Sequence, residues 1–236
     1  MAARRHPQAN TESVDNYLKA ILALGGLEER CVASTALANH LGVAPASVTN
    51  MLQKLASSPK PLVEYERYRG VLLSDAGRRR ALEVVRHHRL IETFLYEVLD
   101  YPLEDVHKEA ERLEHFISEQ FEQHIAAKLG NPTIDPHGHC IPAMDGKMLK
   151  ENSLPLTQVV GDGTVVVDNI SDRDAATVKL LNTCGIAPGV QLRVRNRRAD
   201  DGYSVSIGRS GKVLHLSEEA AAAVRIRPPQ PILCIK

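Results

Sequence analysis

Residues 32–57 constrain the fold of this chain more strongly than any other segment. They read VASTALANHLGVAPASVTNMLQKLAS, which predicts two short helices separated only by the turn Gly42–Ala44. In the second helix Val48, Leu52 and Leu55 repeat at helical spacing, so that one face is apolar and the other is polar. Two helices joined by a tight glycine turn are typical of a helix-turn-helix, which places its second helix in the major groove of DNA.

The segment that follows predicts a β-hairpin. Residues 61–77, PLVEYERYRGVLLSDAG, alternate apolar and polar side chains up to a turn at Arg69-Gly70 and then return. A hairpin at this place is typical of the wing of a winged helix. Residues 43–80 carry seven lysines and arginines against three acidic residues, although the formal net charge of the chain is zero. This bias favours a polyanionic partner, and a winged helix used only for protein packing is the alternative.

The polar face of the second helix offers side chains that suit DNA. Asn50 and Gln53 can pair with adenine in bidentate fashion, while serine and threonine hydroxyls can bond to bases or phosphates. The turn of the hairpin could reach phosphate or the minor groove, which fixes register rather than reading sequence. The residues predicted to contact DNA are Ala44, Pro45, Ser47, Thr49, Asn50, Gln53, Lys54, Arg67, Tyr68 and Arg69.

Two helices with metal-ligating side chains are predicted next. The first runs from after Gly77 to about Leu99, and the second spans 103–129 beyond a break at Tyr101-Pro102. In the second, HKEAERLEH (107–115) repeats histidine and glutamate at i, i+4, i+7 and i+8, which share one helical face. The first supplies a further histidine and glutamate at i, i+4. Two such faces could hold one or two divalent ions, and a solvated charged surface is the alternative.

The last part of the chain changes pattern. Residues 131–153 are rich in proline and glycine and predict a loop and linker. The loop contains HGHC (137–140), which suggests zinc, but the sequence offers no fourth ligand nearby, so a solvated turn is favoured. The short segments TVVVDNI, VQLRVRN, YSVSIG and KVLHLS, interrupted by one helix, DAATVKLLNTCG, predict a small β-barrel.

Composition excludes several classes of protein. Apolar residues make up 43% and charged residues 25% of the chain, as in ordinary soluble globular proteins. No apolar run approaches the roughly 20 residues of a membrane span, and the N-terminus lacks a secretory signal. The cysteines are scattered without a CxxC pair, which argues against a structural zinc site or a disulfide framework. We therefore expect a cytoplasmic protein with no membrane partner.

These segments together resemble the diphtheria toxin repressor family of metal-dependent transcriptional regulators, and in particular its manganese transport regulator branch. The resemblance is most specific in SVTNMLQKL (47–55) and YERYRGVLLSDAGRRR (65–80), which are similar to the family's recognition helix and wing. HHRLIETFL (87–95) and VHKEAERLEH (106–115) are similar to its two ligand helices.

The resemblance implies an α+β fold with three domains. Residues 1–78 would form a winged helix-turn-helix DNA-binding domain and residues 79–148 a helical metal-binding and dimerisation domain. Residues 149–236 would form a small C-terminal β-barrel of the Src-homology type.

The resemblance also implies two metal sites. One would use His88, Glu92 and His107, and the other would use a residue of the first helix with Glu111, Glu114 and His115. The first-helix position matches Asn16, with Asp15 as an alternative, and Lys19 stands where manganese regulators offer a second acidic ligand. Two separated sites are therefore expected, as in iron-sensing relatives, where the C-terminal domain adds ligands to the His88 site. Asp172, with Asn169 or Asp168, is the candidate for that contribution.

The expected function is a metal-dependent repressor of metal-uptake genes, and not an enzyme. Iron-sensing members of the family carry cysteine where this chain has Glu111, and a carboxylate suits Mn²⁺ better than a thiolate does. Mn²⁺ is therefore the expected cofactor, with Fe²⁺ as the alternative. A homodimer would bind a palindromic operator in double-stranded DNA, with its reading heads held apart by metal-dependent contacts. The alternatives are a di-metal carboxylate helical-bundle enzyme and a metal-independent DNA-binding regulator.

Overall fold

The computed structural model describes residues 7–28, 30–149, 152–159, 161–195, 202–208, 211 and 213–227, and for residues 7–10 it describes the backbone alone. Some predictions fall on Lys150, Glu151, Asn196, Lys212 and Cys234, which lie outside the described residues. Among the described residues, no helix combines the length and the apolar character that a bilayer span requires.

The N-terminal part contains the predicted winged helix. Apolar residues at helical spacing in the first two helices pack with the third helix into one core, which a β-hairpin closes. Gly42 ends the second helix with a left-handed backbone at φ 64°, which a glycine adopts without strain. The elements are α1 (Pro7–Gly25), α2 (Ser34–Leu41), α3 (Pro45–Ala56), β1 (Val63–Glu66) and β2 (Gly70–Leu73).

Gly70 fixes the base of the wing. Its φ is +110°, and a Cβ atom there would lie 2.5 Å from the carbonyl oxygen of Val32. Val32 pairs with Val71 through two backbone hydrogen bonds of 2.9 Å. The wing is therefore held against the segment before α2 through a contact that only glycine permits.

The middle of the chain contains α4 (Asp75–Leu99), α5 (Leu103–Leu113) and α6 (Glu119–Lys128). The prediction of one helix over 103–129 is wrong, because α5 ends at Leu113 and α6 begins at Glu119. Ser118 explains the new start: its hydroxyl accepts the backbone N–H of Phe121 at 3.2 Å, as an N-cap residue does.

The C-terminal part is an antiparallel sheet of six strands in the order β3-β8-β4-β5-β6-β7. The predicted small C-terminal β domain is confirmed, but within the described residues the sheet is open rather than a closed barrel. A short 3₁₀ turn, Leu156–Gln158, follows β3. The elements are β3 (Leu154–Pro155), β4 (Gly163–Ile170), α7 (Ala175–Thr183), β5 (Gln191–Arg195), β6 (Tyr203–Ile207), β7 (Val213–Leu216), α8 (Glu218–Ala223) and β8 (Val224–Arg227).

The chain divides into two compact units. So far as their residues are described, the first unit comprises Met1–His88, Arg112–Glu122 and Pro142–Lys150. The second comprises Arg89–Glu111, Gln123–Ile141 and Glu151–Lys236.

Candidate metal centres and nucleic-acid interface

Helix α3 buries one face and exposes the other. Val48, Leu52 and Leu55 are buried in the core of the first unit. Thr49 is half-buried, and its hydroxyl donates a hydrogen bond to the carbonyl of Pro45 at 3.2 Å, as mid-helix threonines often do. The predicted DNA-contacting residues that are exposed here are Ala44, Pro45, Ser47, Asn50, Gln53 and Lys54. The polar face of α3 is therefore accessible to a DNA groove.

The wing ends in an exposed basic turn formed by Arg67, Tyr68 and Arg69. Tyr68 is 93% exposed and has φ +70°, a backbone conformation that is uncommon outside glycine. The guanidinium of Arg67 lies 5.1 Å from the centre of the Tyr68 ring. Arg69 pairs with Glu66 at 3.0 Å, but this pair is exposed and exposed pairs contribute little. All three side chains are thus free to exchange these contacts for phosphate.

In the first unit, Glu114 is a buried carboxylate that Lys19 neutralises. Glu114 lies in the turn after α5, and both of its oxygens accept hydrogen bonds from the Lys19 ammonium, at 2.7 and 2.9 Å. Nδ1 of His88 lies 2.6 Å from the same carboxylate, and Nε2 of His115 lies 3.2 Å from it. The side chain of Glu114 is fully buried, so the ammonium is the charge that balances it.

Asp15, rather than Asn16, is the first-helix residue that lies beside His115. Its carboxylate is 3.4 Å from Nδ1 of His115 and accepts a hydrogen bond from Nε of Arg80 at 2.6 Å. Burial alone would raise the pKa of Asp15, but the contacts with His115 and Arg80 hold that pKa below its ordinary value. Asn16 is half-buried on α1, and Glu111 is half-buried in the last turn of α5.

Asp15, Lys19, Arg80, Glu114 and His115 are called the first-unit group. Both ring nitrogens of His115 are buried without a hydrogen-bond partner, which suits a metal ligand. The two carboxylates, however, already face an ammonium and a guanidinium. The donor set therefore fits a divalent ion only in part, because a second cation at Glu114 would compete with Lys19.

In the second unit, Glu92, His107 and Asp172 form a compact set, called the second-unit group. Nδ1 of His107 lies 3.1 Å from Glu92 and 3.4 Å from Asp172. The ligand atoms of the three residues lie within 4.8 Å of one another. Glu92 is fully buried and the other two are half-buried. His88 precedes Glu92 by one turn of α4 and so lies on the same helical face.

The positive charge in the second-unit group is on the imidazole of His107. Burial opposes a charged ring, but hydrogen bonds with Asp172 and Glu92 raise the pKa of His107 to about 10. Burial likewise opposes the charged form of Asp172, yet His107 and His139 hold its pKa below the ordinary range. Glu92 and Asp172 thus face a group that can give up its proton and become a metal ligand. The donor set of imidazole and carboxylates fits a divalent ion.

Asp168 and Asn169, the other two candidate ligands from the C-terminal domain, have other surroundings. Asp168 pairs with Arg227 at 3.5 Å. Asn169 is buried at the irregularity in β4, where the pairing with β8 shifts register. Of the three, Asp172 is therefore the one that lies beside His107.

The expectation of a solvated HGHC turn is wrong. His137 is 0% exposed, and its carbonyl accepts a hydrogen bond from the backbone of Ile170 at 2.9 Å. Gly138 allows this close packing: its φ is +94°, and a Cβ atom there would lie 2.4 Å from the carbonyl oxygen of Asp168. The loop is thus packed against β4 of the same unit.

Asp135 is the buried residue of this loop that sequence reasoning missed. Its Oδ1 accepts the backbone N–H groups of His137 and His139, both at 2.9 Å. An aspartate that precedes a glycine turn by two or three residues favours this kind of side-chain cap, so the pattern DPHGH carried a signal for it. Asp135, His137 and His139 are called the loop group.

Three family models match consecutive parts of the chain. The iron dependent repressor N-terminal DNA binding domain matches residues 10–71. The iron dependent repressor metal binding and dimerisation domain matches residues 74–143, and the FeoA domain matches residues 154–228.

Characterised relatives agree with these matches. The iron-dependent repressor IdeR of Mycobacterium tuberculosis (strain ATCC 25618 / H37Rv) is 31% identical over 170 residues, which cover 65% of this chain and 71% of the relative. The regulator MntR of Geobacillus kaustophilus is 35% identical over 109 residues, which cover 46% of this chain and 74% of the relative.

Solved structures support the same assignment over the whole fold. A manganese-dependent transcriptional repressor in complex with manganese superposes with a TM-score of 0.82 at 36% identity, covering 92% of this chain and all of that chain. ScaR with bound Zn²⁺ gives a TM-score of 0.75 at 29% identity, covering 92% and 99%. The chain therefore belongs to the diphtheria toxin repressor family, whose members are metal-dependent transcriptional repressors.

Proposed function

We propose that this protein is a Mn²⁺-dependent repressor that binds a palindromic operator as a homodimer and controls metal-uptake genes. The observation that carries the proposal is the second-unit group, in which Nδ1 of His107 lies 3.1 Å from Glu92 and 3.4 Å from Asp172. The same chain presents an accessible recognition helix and a basic wing. Sensing and DNA binding are thus both provided by described side chains.

His88, Glu92, His107 and Asp172 would hold the regulatory ion. A divalent ion bound there would supply two positive charges that neutralise Glu92 and Asp172. His88 enters this set because it shares a face of α4 with Glu92. The donors are imidazole nitrogens and carboxylate oxygens without a thiolate, which favours Mn²⁺, with Fe²⁺ as the alternative. The manganese complex of the 36% identical repressor supports this preference.

Glu111, Glu114 and His115 would form a second metal position with a first-helix residue. Asp15 is better placed than Asn16 for this role, because its carboxylate faces His115 at 3.4 Å. Lys19 donates two hydrogen bonds to Glu114, so an ion would fill this position only by displacing the ammonium. The position is therefore the weaker of the two.

The reading of DNA follows from the winged helix. Exposed Asn50, Gln53 and Lys54 on α3 would enter the major groove, while Arg67 and Arg69 would contact phosphate. The match to a metal binding and dimerisation domain supports a two-fold dimer, whose reading heads would meet the two halves of a palindrome. This is a regulatory role without a catalytic one.

The test is a DNA-binding titration at one stated salt concentration, because the phosphate contribution depends on salt. A duplex is selected from a random pool in the presence of Mn²⁺, and its affinity is measured with Mn²⁺, with Fe²⁺ under anaerobic conditions, and with chelator. Mn²⁺ should tighten binding by a factor of about 5 to 150, the usual range of coupling between two sites. His107→Ala should abolish the response, whereas His215→Ala, an exposed histidine of β7, should retain it. Equal affinity of the wild type with Mn²⁺ and with chelator would contradict the proposal.

A further inference from the structure

The loop group holds polar atoms that the proposed regulatory site does not use. Oδ1 of Asp135 is occupied by two backbone N–H groups, but Oδ2 is buried and has no hydrogen-bond partner. The side chain of Asp135 is fully buried. Burying a carboxylate oxygen without a hydrogen-bond partner costs free energy of folding, and a cation bound at Oδ2 would offset that cost.

His137 is oriented as a metal ligand would be. Its Nε2 lies 3.3 Å from the backbone carbonyl of Leu103, which can only accept, so Nε2 carries the proton. When the ring is neutral, Nδ1 is therefore its unprotonated nitrogen, and Nδ1 is buried without a hydrogen-bond partner. A metal-bound histidine usually donates its other ring N–H to a carboxylate or a backbone carbonyl, and this hydrogen bond fixes the tautomer.

The remaining donors lie around the same point. Nδ1 of His137 is 3.8 Å from Oε2 of Glu92, and Nδ1 of His139 is 3.5 Å from Oδ2 of Asp135. Nδ1 of His139 is buried without a hydrogen-bond partner, and it lies 3.9 Å from Asp172. The ligand atoms of Glu92, Asp135 and His137 are all within 4.8 Å of one another.

These separations distinguish a metal site from a hydrogen-bonded network. Distances of 3.5 to 3.9 Å are too long for hydrogen bonds between ring nitrogens and carboxylates. Two donors that each lie about 2.1 Å from a common ion are about 3.0–4.2 Å apart, depending on the angle between them. The spacing of the loop group is that of ligands around an ion.

Arg89 is the competing cation. Its Nε lies 3.6 Å from Oδ2 of Asp135, beyond hydrogen-bonding distance, and its Nη1 donates to the carbonyl of Cys140. The guanidinium therefore anchors the end of the loop and forms an ion pair with Asp135 without a hydrogen bond to Oδ2. An ion between Asp135 and His137 would satisfy the oxygen that Arg89 leaves without a hydrogen bond.

We infer that the loop group binds a divalent transition-metal ion of its own, through Asp135, His137 and His139, with Glu92 shared with the regulatory site. Glu92 suits the shared role because Oε1 faces His107 at 3.1 Å and Oε2 faces His137 at 3.8 Å. Two imidazoles and two carboxylates form a donor set for Mn²⁺, Fe²⁺ or Zn²⁺. This position goes beyond the proposed function, although Glu92 links it to the regulatory site.

The experiment counts Mn²⁺ ions bound per protomer of the full-length, metal-stripped protein, from the electron paramagnetic resonance signal of free Mn²⁺. Asp135→Asn retains the Oδ1 acceptor that caps the loop but removes the charge and the ligand oxygen. His139→Ala removes the most exposed donor of the loop group and avoids a cavity at fully buried His137. Asp145→Asn, at an exposed carboxylate paired with Lys147, is the matched control. Circular dichroism confirms that each variant is folded.

The wild type and Asp145→Asn should bind one ion per protomer more than Asp135→Asn and His139→Ala bind. His107→Ala should lose the Mn²⁺ response in DNA binding, whereas Asp135→Asn should retain it. If Asp135→Asn and His139→Ala bind as many ions as the wild type with the same affinity, the loop position is wrong while the proposed function stands. If the ion count falls in those variants but wild-type DNA binding ignores Mn²⁺, the proposed function fails and the loop position stands.

Discussion

The first-unit and second-unit groups contain the same kinds of acid and differ in the base that each acid faces. In the first-unit group, Glu114 accepts two hydrogen bonds from Lys19, and Asp15 accepts one from Arg80. In the second-unit group, Glu92 and Asp172 both face the imidazole of His107. The carboxylates of one group face an ammonium and a guanidinium, and those of the other face an imidazole, whose nitrogen becomes a metal ligand once it loses its proton.

This difference decides how readily each group accepts a metal ion. Both bases are protonated near neutral pH, since the reference pKa of an ammonium is about 10.4 and the pKa of His107 is raised to about 10. Histidine is a common metal ligand once that proton is lost and lysine is not, so the Lys19 side chain would have to move away before an ion could take its place. An imidazole needs only to release one proton, after which the same nitrogen becomes a ligand. The second-unit group can therefore exchange a proton for a metal ion with little rearrangement, whereas the first-unit group is already occupied by a cation of its own.

The largest effect is expected from Lys19→Met, which removes the ammonium and retains a stem of similar length. The metal-free variant should lose about 3 kcal/mol of stability, because the fully buried Glu114 is left without its strongest partner. Mn²⁺ should restore that stability and should bind with one more ion per protomer, held by Glu114, His115 and Asp15. Denaturant unfolding with and without Mn²⁺, together with counting of bound Mn²⁺, measures both effects.

Lys179→Met is the control for this variant, since Lys179 is 70% exposed and pairs with Glu104 at 3.2 Å. It should change neither the stability nor the number of bound ions. An unchanged ion count in Lys19→Met would mean that the ammonium does not occupy a metal position, and the contrast between the two groups would then be lost.

The second effect is a pH dependence of Mn²⁺ binding at the second-unit group. The pKa of His107 is about 10 in the metal-free protein, so its ring is protonated at pH 6.5 to 8.0 and binding must displace that proton. Raising the pH removes the competitor, so the affinity should rise by about tenfold per pH unit. Calorimetric titrations in buffers of different ionisation enthalpy measure the affinity and the number of protons released. An affinity that does not change over this range would show that His107 is not a ligand.

The winged helix could be predicted from the sequence because its signals are local. The apolar repeat Val48, Leu52 and Leu55 and the turn glycine Gly42 each act within one or two turns of chain, and all occupy the predicted places. The break in the helix predicted over 103–129 is local as well, since Ser118 caps α6. It was missed because charged residues at helical spacing continue across it.

The partners within the candidate sites could not be predicted in the same way. The Lys19–Glu114 pair joins residues 95 positions apart, and nothing in the sequence near either residue specifies the other. The sequence predicts a solvated turn for the loop group because its neighbours in space, Glu92 and β4, are distant in sequence. The family resemblance predicts His88, Glu92 and His107 as candidate ligands, but only the structure shows that Asp172 rather than Asp168 lies beside His107 and that Asp15 rather than Asn16 lies beside His115.

The smallest effect is expected from Arg80→Met, which distinguishes the contribution of Arg80 to the first-unit group from that of Lys19. Arg80 is 34% exposed at its side chain, so loss of its hydrogen bond to Asp15 should cost only about 1 kcal/mol at pH 7. Because the pKa of Asp15 is held below its ordinary value, this stability is present above the unfolded-state pKa and is lost as the pH falls through the folded-state pKa. Urea unfolding at pH 7 and at pH 3 should therefore show a difference from the wild type that shrinks in acid.

Unlike Lys19→Met, the Arg80→Met variant should bind the same number of Mn²⁺ ions as the wild type, because Glu114, which lies beside His115, still faces Lys19. Arg69→Met, at an exposed pair of the wing, controls for loss of an arginine and should leave the stability unchanged. A gain of one ion in Arg80→Met would mean that the guanidinium also blocks a metal position. In that case the positive charges of Lys19 and Arg80 would together prevent an ion from binding to the first-unit group. Lys19 would then have no special role at Glu114.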